Sequence, residues 1–356
     1  MNAILEVVSP GAMASIQDLG RPGLRRLGVP LAGALEPDWL RLANALLGNR
    51  EDAPAIEFFV GGLVVRALAS PVKIALAGHF SATLTTAEGQ RQLPSWRSLT
   101  LAPGERLHCD PLSAGRLGYV ALAGCSVPWE LGSASTDARA GIGGLDGRLL
   151  SAGAQLPARV ASGGDKTLRT PPRLDSAAIR VVLGPQADYF DEPSLARFLC
   201  GTYQVTPAAD RMGMRLAGPR LGHRPEKGAE IVSDATVPGS IQVPGDGQPI
   251  VLLADGQTVG GYPKIATVIS ADLPRLAVRV PGQSVHFAAV SVTVAEQAAR
   301  RRQAVRRALI GDIVPLTESG GVDLQAIYAV NLVSGVVDAR EADDRDWRAT
   351  HQEGTK

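Results

Sequence analysis

Short apolar runs separated by glycine and proline recur along most of this chain. Their length and their content of branched aliphatic side chains predict β-strands at residues 63–68, 72–77, 117–123, 180–183, 250–254, 265–269, 276–280 and 284–290. Pro281-Gly282 lies between the last two runs and predicts a hairpin turn. The pattern therefore predicts a mostly β fold.

Helical spacing is confined to a few segments. Pro37 begins the first of them and Gly48 follows its end, and one apolar face is formed by Trp39, Ala43 and Leu46. A shorter helix is predicted from near Pro193 to Gly201, with Leu195, Phe198 and Leu199 turned inward. The sequence thus predicts short helices beside the strands.

A third helix is predicted to begin at Thr293, because Thr293 and Glu296 have the spacing of a capping box. It runs through an arginine-rich stretch to about Leu309. Ala298, Val305 and Leu309 predict a buried stripe, which would leave the arginines on the solvent side. The alternative is that the arginines bind an acidic partner or a phosphate backbone.

The composition is that of a globular protein with room for two domains. The 356 residues are 45% hydrophobic and 20% charged, and only 4% are aromatic. The polar stretch 161–172 lacks a period and is interpreted as a linker. The boundaries predicted from it are 1–172 for an N-terminal half, 173–310 for a C-terminal half and 311–356 for an extension, frayed from about residue 341.

Charge and cysteine content exclude several classes of protein. A formal net charge of +1 gives no electrostatic reason to expect binding to nucleic acid or a membrane. The three cysteines, Cys109, Cys125 and Cys200, are widely spaced, so buried free thiols are expected rather than disulfides or a zinc site. Neither a signal peptide nor a membrane-spanning run is recognisable, and the expected location is cytoplasmic.

The first polar cluster contains Gln17, Asp18 and Arg21 beside several glycines. An amide, a carboxylate and a guanidinium at a tight turn can present both signs of charge to a polar ligand. In the structural alternative Asp18 accepts hydrogen bonds from backbone amides, while Arg21 pairs with a carboxylate elsewhere. Spacing alone favours the structural alternative.

The second cluster places Asp210 and Arg211 before Gly213. Arg211 could bind a carboxylate or a phosphate through its planar donor fork. An exposed ion pair on a β-turn is equally compatible with this sequence.

The third cluster extends from Gln242 to Asp272 and is the densest in polar side chains. A predicted apolar strand delivers Asp255, Gln257 and Thr258 onto a loop at its end. The double glycine Gly260-Gly261 allows a tight fold, and Tyr262 and Lys264 follow it. A polar hairpin that satisfies only its own backbone is the alternative, but the density of functional groups favours a working surface.

Other common chemistries have no support in the sequence. The glycine-rich segment 141–148 lacks the Gly-Lys-Ser/Thr ending of a P-loop. The histidines lack metal-ligand spacing, so no metal site is expected. A Gly-x-Ser-x-Gly elbow is missing, and so is a lysine between two methionines, so no covalent biotin is expected on this chain.

Eight segments in order from about residue 7 to residue 291 resemble one family. They are SIQDLGRPGLRRLGVPLAGALE, LANALLGN, VPWELGSAST, GGLDGRLLSAG, LGPQADYF, DRMGMRL, GSIQVPGDGQPIVLLADGQTVGGYPKIATVISADL and PGQSVHFAAVS. This is the KipA-like family, also called allophanate-hydrolase-subunit-2-like or the 5-oxoprolinase C-subunit family, which is related to the carboxyltransferase domain of urea carboxylase. The resemblance implies two cyclophilin-like β-barrel domains with a few short helices.

The resemblance also implies partners and a reaction. Family members work with a KipI-like B subunit, and often with a LamB/YcsF-like A subunit, to open 5-oxo-L-proline to L-glutamate with ATP bound by the complex. With these roles, the catalytic residues would be Asp18, Arg211, Asp255 and Lys264. The substrate-binding residues would be Gln17, Arg21, Asp210, Gln242, Gln257, Thr258, Gly260, Gly261 and Tyr262.

Two other functions are compatible with the same resemblance. One is biotin-dependent carboxyl transfer to urea or a related amide, with biotin carried by another protein. The other is a non-catalytic regulatory partner of a KipI-like protein. The chain departs from the family motifs at Ala32, Glu36, His79, Ala134 and Val259, and these departures concern the substrate more than the fold.

Overall fold

β-Strands dominate residues 2–316, which are the part of the chain that the computed structural model describes. Up to residue 168 the strands are β1 (Asn2–Pro10), β2 (Met13–Gln17), β3 (Ala55–Phe59), β4 (Leu63–Ala67), β5 (Val72–His79), β6 (Ser81–Thr86), β7 (Gly89–Pro94), β8 (Arg97–Leu101), β9 (Arg106–Cys109), β10 (Ala114–Leu122), β11 (Gln155–Arg159) and β12 (Lys166–Leu168). After residue 178 they are β13 (Ile179–Leu183), β14 (Tyr203–Ala209), β15 (Gly213–Ala217), β16 (Asp234–Ala235), β17 (Ser240–Gln242), β18 (Ile250–Leu252), β19 (Val259–Gly260), β20 (Lys264–Val268), β21 (Ser284–Val285), β22 (Phe287–Ala289) and β23 (Ile313–Pro315). The predicted mostly β fold is confirmed.

The helices are few and short except for the last. They are α1 (Pro37–Leu47), α2 (Glu192–Cys200), α3 (Leu273–Ala277) and α4 (Val292–Gly311). The first two match the prediction, including the left-handed Gly48 that ends α1. In α2, Phe198 is buried, whereas Leu195 and Leu199 are only half-buried. None of the helices within residues 2–316 is long and apolar enough to cross a membrane.

Two antiparallel sheets account for the strands before residue 168. One has six strands in the order β11-β1-β4-β9-β6-β7, and the other has the order β2-β3-β10-β5-β8-β12-β23. A cluster of buried apolar side chains from both sheets, including Leu5, Ile56, Val65 and Leu107, forms their common core. Alternating burial along β4 shows why its sequence forms a strand with only one face in this core.

The strands from β13 to β22 form an almost closed barrel. Eight of them pair in the order β21-β14-β15-β18-β17-β20-β13-β22. The two edge strands, β21 and β22, are separated along the chain by His286 alone, so the sheet curls until its edges meet. β16 and β19 form a separate two-stranded sheet beside it. A second apolar cluster joins the barrel interior to α1 through residues such as Trp39, Tyr119, Ile241 and Leu276.

The strand predicted at residues 276–280 is wrong, because this segment begins inside α3. The N–H of Leu276 bonds to the carbonyl of Asp272 at 3.0 Å, and the N–H of Val278 bonds to that of Pro274 at 3.1 Å. Pro274 suits the first turn of a helix, where its missing N–H would have no intrahelical partner. Pro281-Gly282 therefore follows a helix and does not link two strands of a hairpin. A short apolar run cannot distinguish a buried helix from a strand.

Smaller boundary differences also occur. The strand predicted at 250–254 ends at Leu252, and the one predicted at 284–290 is divided into β21 and β22. The interpreted linker 161–172 contains β12, which pairs with β23 at residues 313–315. β23 thus joins the start of the predicted C-terminal extension to the seven-stranded sheet. The predicted frayed tail lies outside the described residues.

The cysteines are free thiols, as expected, but they are not equally buried. Cys109 is buried, Cys125 is half-buried and Cys200 is exposed. Burial raises the pKa of Cys125 to about 12, which keeps that thiol protonated at neutral pH.

The start and the arginine pattern of α4 differ from the prediction. Ser291 caps the helix by accepting a hydrogen bond from the N–H of Val294, ahead of the predicted start at Thr293. Val305 is exposed and Ala298 is buried, so a continuous apolar stripe does not form. Arg302 instead forms ion pairs with Glu36 and Asp38 at the start of α1. These ion pairs attach this face of α4 to α1.

Burial raises the pKa of Glu36 to about 7, although Arg302 opposes the shift. The folded chain then holds this proton more tightly than the unfolded chain does. Its contribution to stability is complete below about pH 4.5 and is lost as the pH rises through about 7. Glu36→Gln should remove this pH dependence, which we expect to amount to about 2–3 kcal/mol.

Urea denaturation across this pH range measures the difference in slope between wild type and Glu36→Gln. Glu88→Gln is a suitable control because Glu88 is exposed in a turn and has no cationic partner within residues 2–316. Parallel stability curves for wild type and Glu36→Gln would contradict the assignment.

Candidate functional site

Asp18 is the centre of a buried hydrogen-bond network at the end of β2. Its carboxylate accepts hydrogen bonds from the hydroxyls of Ser133 at 2.6 Å and Ser135 at 2.5 Å. It also accepts from the backbone N–H groups of Gly20 and Ala134, both at 2.7 Å. Hydrogen bonds to a carboxylate are among the strong ones, and four of them hold it in one orientation. Asp18 therefore fixes residues 133–135 against the turn that follows β2.

Arg21 extends this network toward the glycine-rich segment. Its Nη2 donates to the carbonyl of Ser135 at 2.5 Å, and its Nε donates to that of Glu130 at 3.1 Å. Gly143 has a φ of +71°, and a Cβ on it would collide with the Arg21 guanidinium. Glycine is therefore required where this segment crosses Arg21. The segment that resembled an incomplete P-loop covers an arginine instead.

Three polar atoms of this network are buried without a hydrogen-bond partner among the described residues. They are Oε1 of Gln17, Nη1 of Arg21 and Oγ1 of Thr136. The other side-chain nitrogens bind neighbouring carbonyls, since Gln17 donates to Thr136 at 3.1 Å and Arg21 donates to Ser135. Buried polar groups are normally paired, so the unpaired acceptor of Gln17 and the unpaired donor of Arg21 mark a candidate ligand site.

Arg211 forms the second buried network. Its Nε and Nη2 donate to the two carboxylate oxygens of Asp255 at 2.9 and 2.8 Å. Its Nη1 contacts Glu57, and Nη2 also donates to the carbonyl of Gly33 at 2.7 Å. Burial lowers the pKa of Arg211, but the charges of Asp255 and Glu57 outweigh it and hold that pKa above its ordinary value. Every nitrogen of this guanidinium already has an internal acceptor.

Glu57 carries this network into the seven-stranded sheet. It accepts hydrogen bonds from the hydroxyl of Tyr119 at 2.5 Å and from the N–H of Leu35 at 2.9 Å. Burial, together with the Glu57 charge, raises the pKa of Tyr119 well above its usual value. In the opposite direction, Arg116 of β10 donates to the carbonyl of Ala277 at 2.6 Å and to that of Ala209 at 3.0 Å. Arg211 of the barrel part thus binds a carboxylate of the sheet, and Arg116 of the sheet binds carbonyl groups of the barrel part.

Backbone contacts bring the first and third sequence clusters together. The N–H of Ala32 donates to the carbonyl of Ala254 at 3.0 Å, and within the first cluster the N–H of Ala34 donates to the carbonyl of Asp18 at 2.8 Å. Arg25 donates to the carbonyl of Gln257 at 2.7 Å. We call this arrangement of residues 17–34, 130–147 and 253–258 the loop junction.

Gln242 and Gln257 are also brought together, as the density of the third cluster suggested. Nε2 of Gln257 donates to Oε1 of Gln242 at 3.0 Å, whereas Nε2 of Gln242 is buried without a partner among the described residues. A Cβ on Gly260 would collide with that nitrogen, so glycine leaves room for the amide. Gln257 belongs to the loop junction, and Gln242 beside it supplies one further unpaired donor.

The remaining predicted residues are not all part of this arrangement. The Lys264 ammonium donates to Asp234 at 2.8 Å, away from Asp255. Asp210 is exposed and its carboxylate accepts the N–H groups of Met212 and Gly213, which closes its own turn rather than pairing with Arg211. Asp272, at the end of the predicted surface, binds Arg180 on a different face.

The other predicted site residues near Gly260 differ in their contacts and exposure. Thr258 uses its carbonyl to accept from the backbone of Thr236, Gly261 accepts from Ile231, and Tyr262 is 40% exposed. The surface predicted from Gln242 to Asp272 is therefore divided among three regions. Asp255 and Gln257 lie in the loop junction, and Gln242 lies beside it.

Sequence reasoning missed several residues of these networks. Glu57 had a recognisable signal, because a lone carboxylate in the apolar strand Ala55–Phe59 must have buried partners. Ser133 and Ser135 had a weaker one, since small hydroxyl side chains beside glycine are common in turns. Asp137, which is 3% exposed and accepts the N–H groups of Arg139 and Ala140, had none.

The departures from the family motifs have different surroundings. Ala134 is fully buried among apolar side chains, and its N–H still serves Asp18. His79 packs edge-on against Trp39 with ring centroids 5.2 Å apart, and burial lowers its pKa. Val259 is 57% exposed. Of these three positions, Ala134 is the one that contacts the Asp18 network.

The chain is similar in sequence or structure to several known proteins. The chain is 37% identical to the 5-oxoprolinase C subunit of Escherichia coli over 85% of its own length and 96% of that protein. It superimposes on the urea amidolyase of K. lactis with a TM-score of 0.77 and 27% identity, covering 88% of this chain but 20% of that one. On TTHA0988 the TM-score is 0.70 with 38% identity, covering 80% of this chain and 56% of the other.

The model of one family covers most of the sequence. Residues 27–289 match the carboxyltransferase domain, subdomain A and B. This range contains the larger part of the seven-stranded sheet, the whole barrel and most of the loop junction. The chain therefore belongs to the carboxyltransferase domain family, subdomain A and B, and is a homologue of the 5-oxoprolinase C subunit.

Proposed function

We propose that this chain is the C subunit of an ATP-dependent 5-oxoprolinase, which converts 5-oxo-L-proline to L-glutamate. The observation that carries the proposal is the 37% identity to the C subunit of the Escherichia coli 5-oxoprolinase over nearly the whole of that protein. We also propose that two further chains, a KipI-like B subunit together with a LamB/YcsF-like A subunit, complete the enzyme. Residues 1–172 and 173–310 would form two cyclophilin-like halves.

The unpaired polar atoms at the loop junction support a lactam as the ligand. A lactam presents one N–H donor and one carbonyl acceptor on the same side of its ring. Oε1 of Gln17 can accept from the first, and Nη1 of Arg21 can donate to the second. A guanidinium beside the carbonyl oxygen would also stabilise negative charge that develops there during attack by water.

Asp255 is the candidate for holding or receiving a proton. Burial raises the pKa of its carboxyl, although Arg211 opposes the shift, and a raised pKa makes the carboxylate a stronger base. Phosphorylation of the lactam oxygen by ATP would supply the activation that a resonance-stabilised amide needs. The predicted cations do not form a triphosphate site, because Arg211 and Lys264 already have carboxylate partners.

Access to this site requires a change in the described structure. Gln17 and Arg21 are 0% and 1% exposed, so a ligand reaches them only if the covering loop moves. We propose that binding of the partner chains opens the segment 141–147 and completes the site. This agrees with an enzyme that is inactive without its partners.

Arg21→Met tests the site in the reconstituted complex. We expect the rate of ATP-dependent glutamate release to fall by at least about tenfold, since one charge-assisted hydrogen bond in a transition state is worth roughly 2–3 kcal/mol. Arg26→Met is the matched control, because Arg26 is exposed in the same loop. Circular dichroism must show that both variants are folded. Equal rates for the two folded variants would remove Arg21 from the mechanism.

Carboxyl transfer to urea or a related amide is the second candidate. It is supported by the superposition on the urea amidolyase of K. lactis, with a TM-score of 0.77. Urea-dependent bicarbonate consumption that avidin blocks would support it against lactam opening. Tight binding of a KipI-like protein without turnover of either substrate would instead indicate a regulatory partner.

A further inference from the structure

A cavity of about 900 Å³ lies between α1, α4 and the chain segments around residues 172–178 and 271–284. It contains none of the residues of the loop junction. Its charged lining is mainly arginine, with a smaller number of carboxylates. The balance between these charges decides what the cavity can hold.

Four of the arginines in the lining already have carboxylate partners. Arg302 contacts both Glu36 and Asp38, and Arg306 contacts Asp38 at 3.2 Å. Across the cavity, Asp272 pairs with Arg180 at 2.7 Å and with Arg275 at 3.0 Å. Asp175 also contacts Arg275. These pairs use all four carboxylates of the lining.

Arg279 is left without a carboxylate within 4.0 Å among the described residues. It is 7% exposed, and its terminal nitrogens donate only to the backbone carbonyls of Ser284 and Ala177. Its Nε is buried without any partner within residues 2–316. Burial, together with the neighbouring Arg275, lowers the pKa of Arg279, although Asp175 opposes the shift. A buried guanidinium without a counter-ion is unfavourable unless an anion from outside compensates it.

Two more arginines in the lining also lack a carboxylate partner. Arg173 and Arg301 are exposed on the cavity wall, and neither has a carboxylate within 4.0 Å in the described part of the chain. The lining therefore holds three guanidinium groups in excess over its carboxylates. They come from the segment before β13, the segment just after α3 and the middle of α4, so the fold and not one local run of sequence brings them together.

We propose that this cavity binds a multiply charged oxyanion of the phosphate class through Arg173, Arg279 and Arg301. A guanidinium presents a planar fork of N–H donors that matches the oxygen atoms of a phosphate group. The volume is within the roughly 300–1,000 Å³ usual for small-molecule sites, so a whole nucleotide fits as well as free phosphate. The shared chemistry is the phosphate group, and the experiment distinguishes its sources.

Isothermal titration of the whole chain, without its partner chains, measures binding of inorganic phosphate, tripolyphosphate, ADP and ATP at constant ionic strength. We expect saturable binding. Arg173→Gln with Arg301→Gln should weaken it about tenfold, and Arg279→Gln should weaken it at least as much. Arg307→Gln is the control, because Arg307 is exposed on the same helix and does not line the cavity.

The double variant keeps the test informative if Arg279→Gln does not fold, since Arg173 and Arg301 are exposed and form no ion pair within the described residues. Tighter binding of ATP than of tripolyphosphate identifies a nucleotide, and equal binding identifies the phosphate groups alone. The proposal is overturned if none of the four compounds binds, or if the double variant binds as wild type does. Because no lactam and no partner is used, this result is independent of the proposed reaction.

Discussion

Replacing Arg211 by methionine should lower the free energy of unfolding by about 3–5 kcal/mol, the usual cost of removing one partner from a buried ion pair. The substitution leaves the carboxylates of Glu57 and Asp255 buried without their cation. It also removes the donor to the carbonyl of Gly33. Urea denaturation followed by circular dichroism measures the loss.

Arg215→Met is the matched control for this prediction. Arg215 is an exposed arginine in β15, and its side chain has no carboxylate partner among residues 2–316. A further variant combines Arg211→Met with Glu57→Gln and Asp255→Asn, and it should recover part of the lost stability because the orphaned charges are gone. A loss from Arg211→Met no larger than that from Arg215→Met would show that the network contributes little.

The same variant addresses the catalytic role predicted for Arg211 and Asp255. A guanidinium whose nitrogens all have internal acceptors orients Asp255 more readily than it binds a substrate. Its removal should therefore change the pH profile of the reconstituted activity, because it raises the proton affinity of Asp255 further. An unchanged profile in the folded variant would separate this network from the chemistry.

Asp18→Asn is the second large effect that we expect, with a loss of about 2–4 kcal/mol in the free energy of unfolding. The amide cannot accept all four hydrogen bonds that the carboxylate accepts. Its NH₂ group would face either a backbone N–H or a hydroxyl that now lacks an acceptor. Loss of this centre should also release residues 133–135 and abolish activity in the complex.

Asp246→Asn provides the comparison for Asp18→Asn. Asp246 is exposed in a turn and accepts one backbone N–H, that of Gln248 at 2.9 Å. Its replacement should cost less than about 1 kcal/mol. Hydrogen exchange at the amides of residues 133–135 gives an independent readout, and unchanged protection in Asp18→Asn would refute the role of Asp18 as the centre.

Much of the fold was predictable because local signals agreed with tertiary packing. The strands at 63–68 and 72–77 form where strand length and composition predicted them, and the helix begun by Pro37 buries the predicted face of Trp39, Ala43 and Leu46. The strand predicted at 276–280 was wrong because this apolar pattern fits either a strand or a buried helix. Pro274, which favours a helix start, lies before the apolar run. The prediction missed β12 because its partner strand, β23, is more than a hundred residues away.

Some of the residues that meet at the candidate site were named from the sequence, but their partners were not. Gln17, Asp18, Arg21 and Asp255 all lie at the loop junction. What the sequence could not provide is which donor meets which acceptor, since Asp18 finds its partners more than a hundred residues away. For the same reason the surplus of arginine on one cavity wall is invisible in a chain whose net charge is +1.

The two arginines that cross between sheet and barrel bear on how such a chain could be divided. Cut within residues 161–172, the first piece would carry Glu57 without its cation, and the second would carry Arg211 without one of its anions. Arg116 would likewise lose the carbonyls that it binds in the second piece. The sequence predicts two halves in tandem. Neither half should be exchanged or expressed by itself without substitutions at these positions.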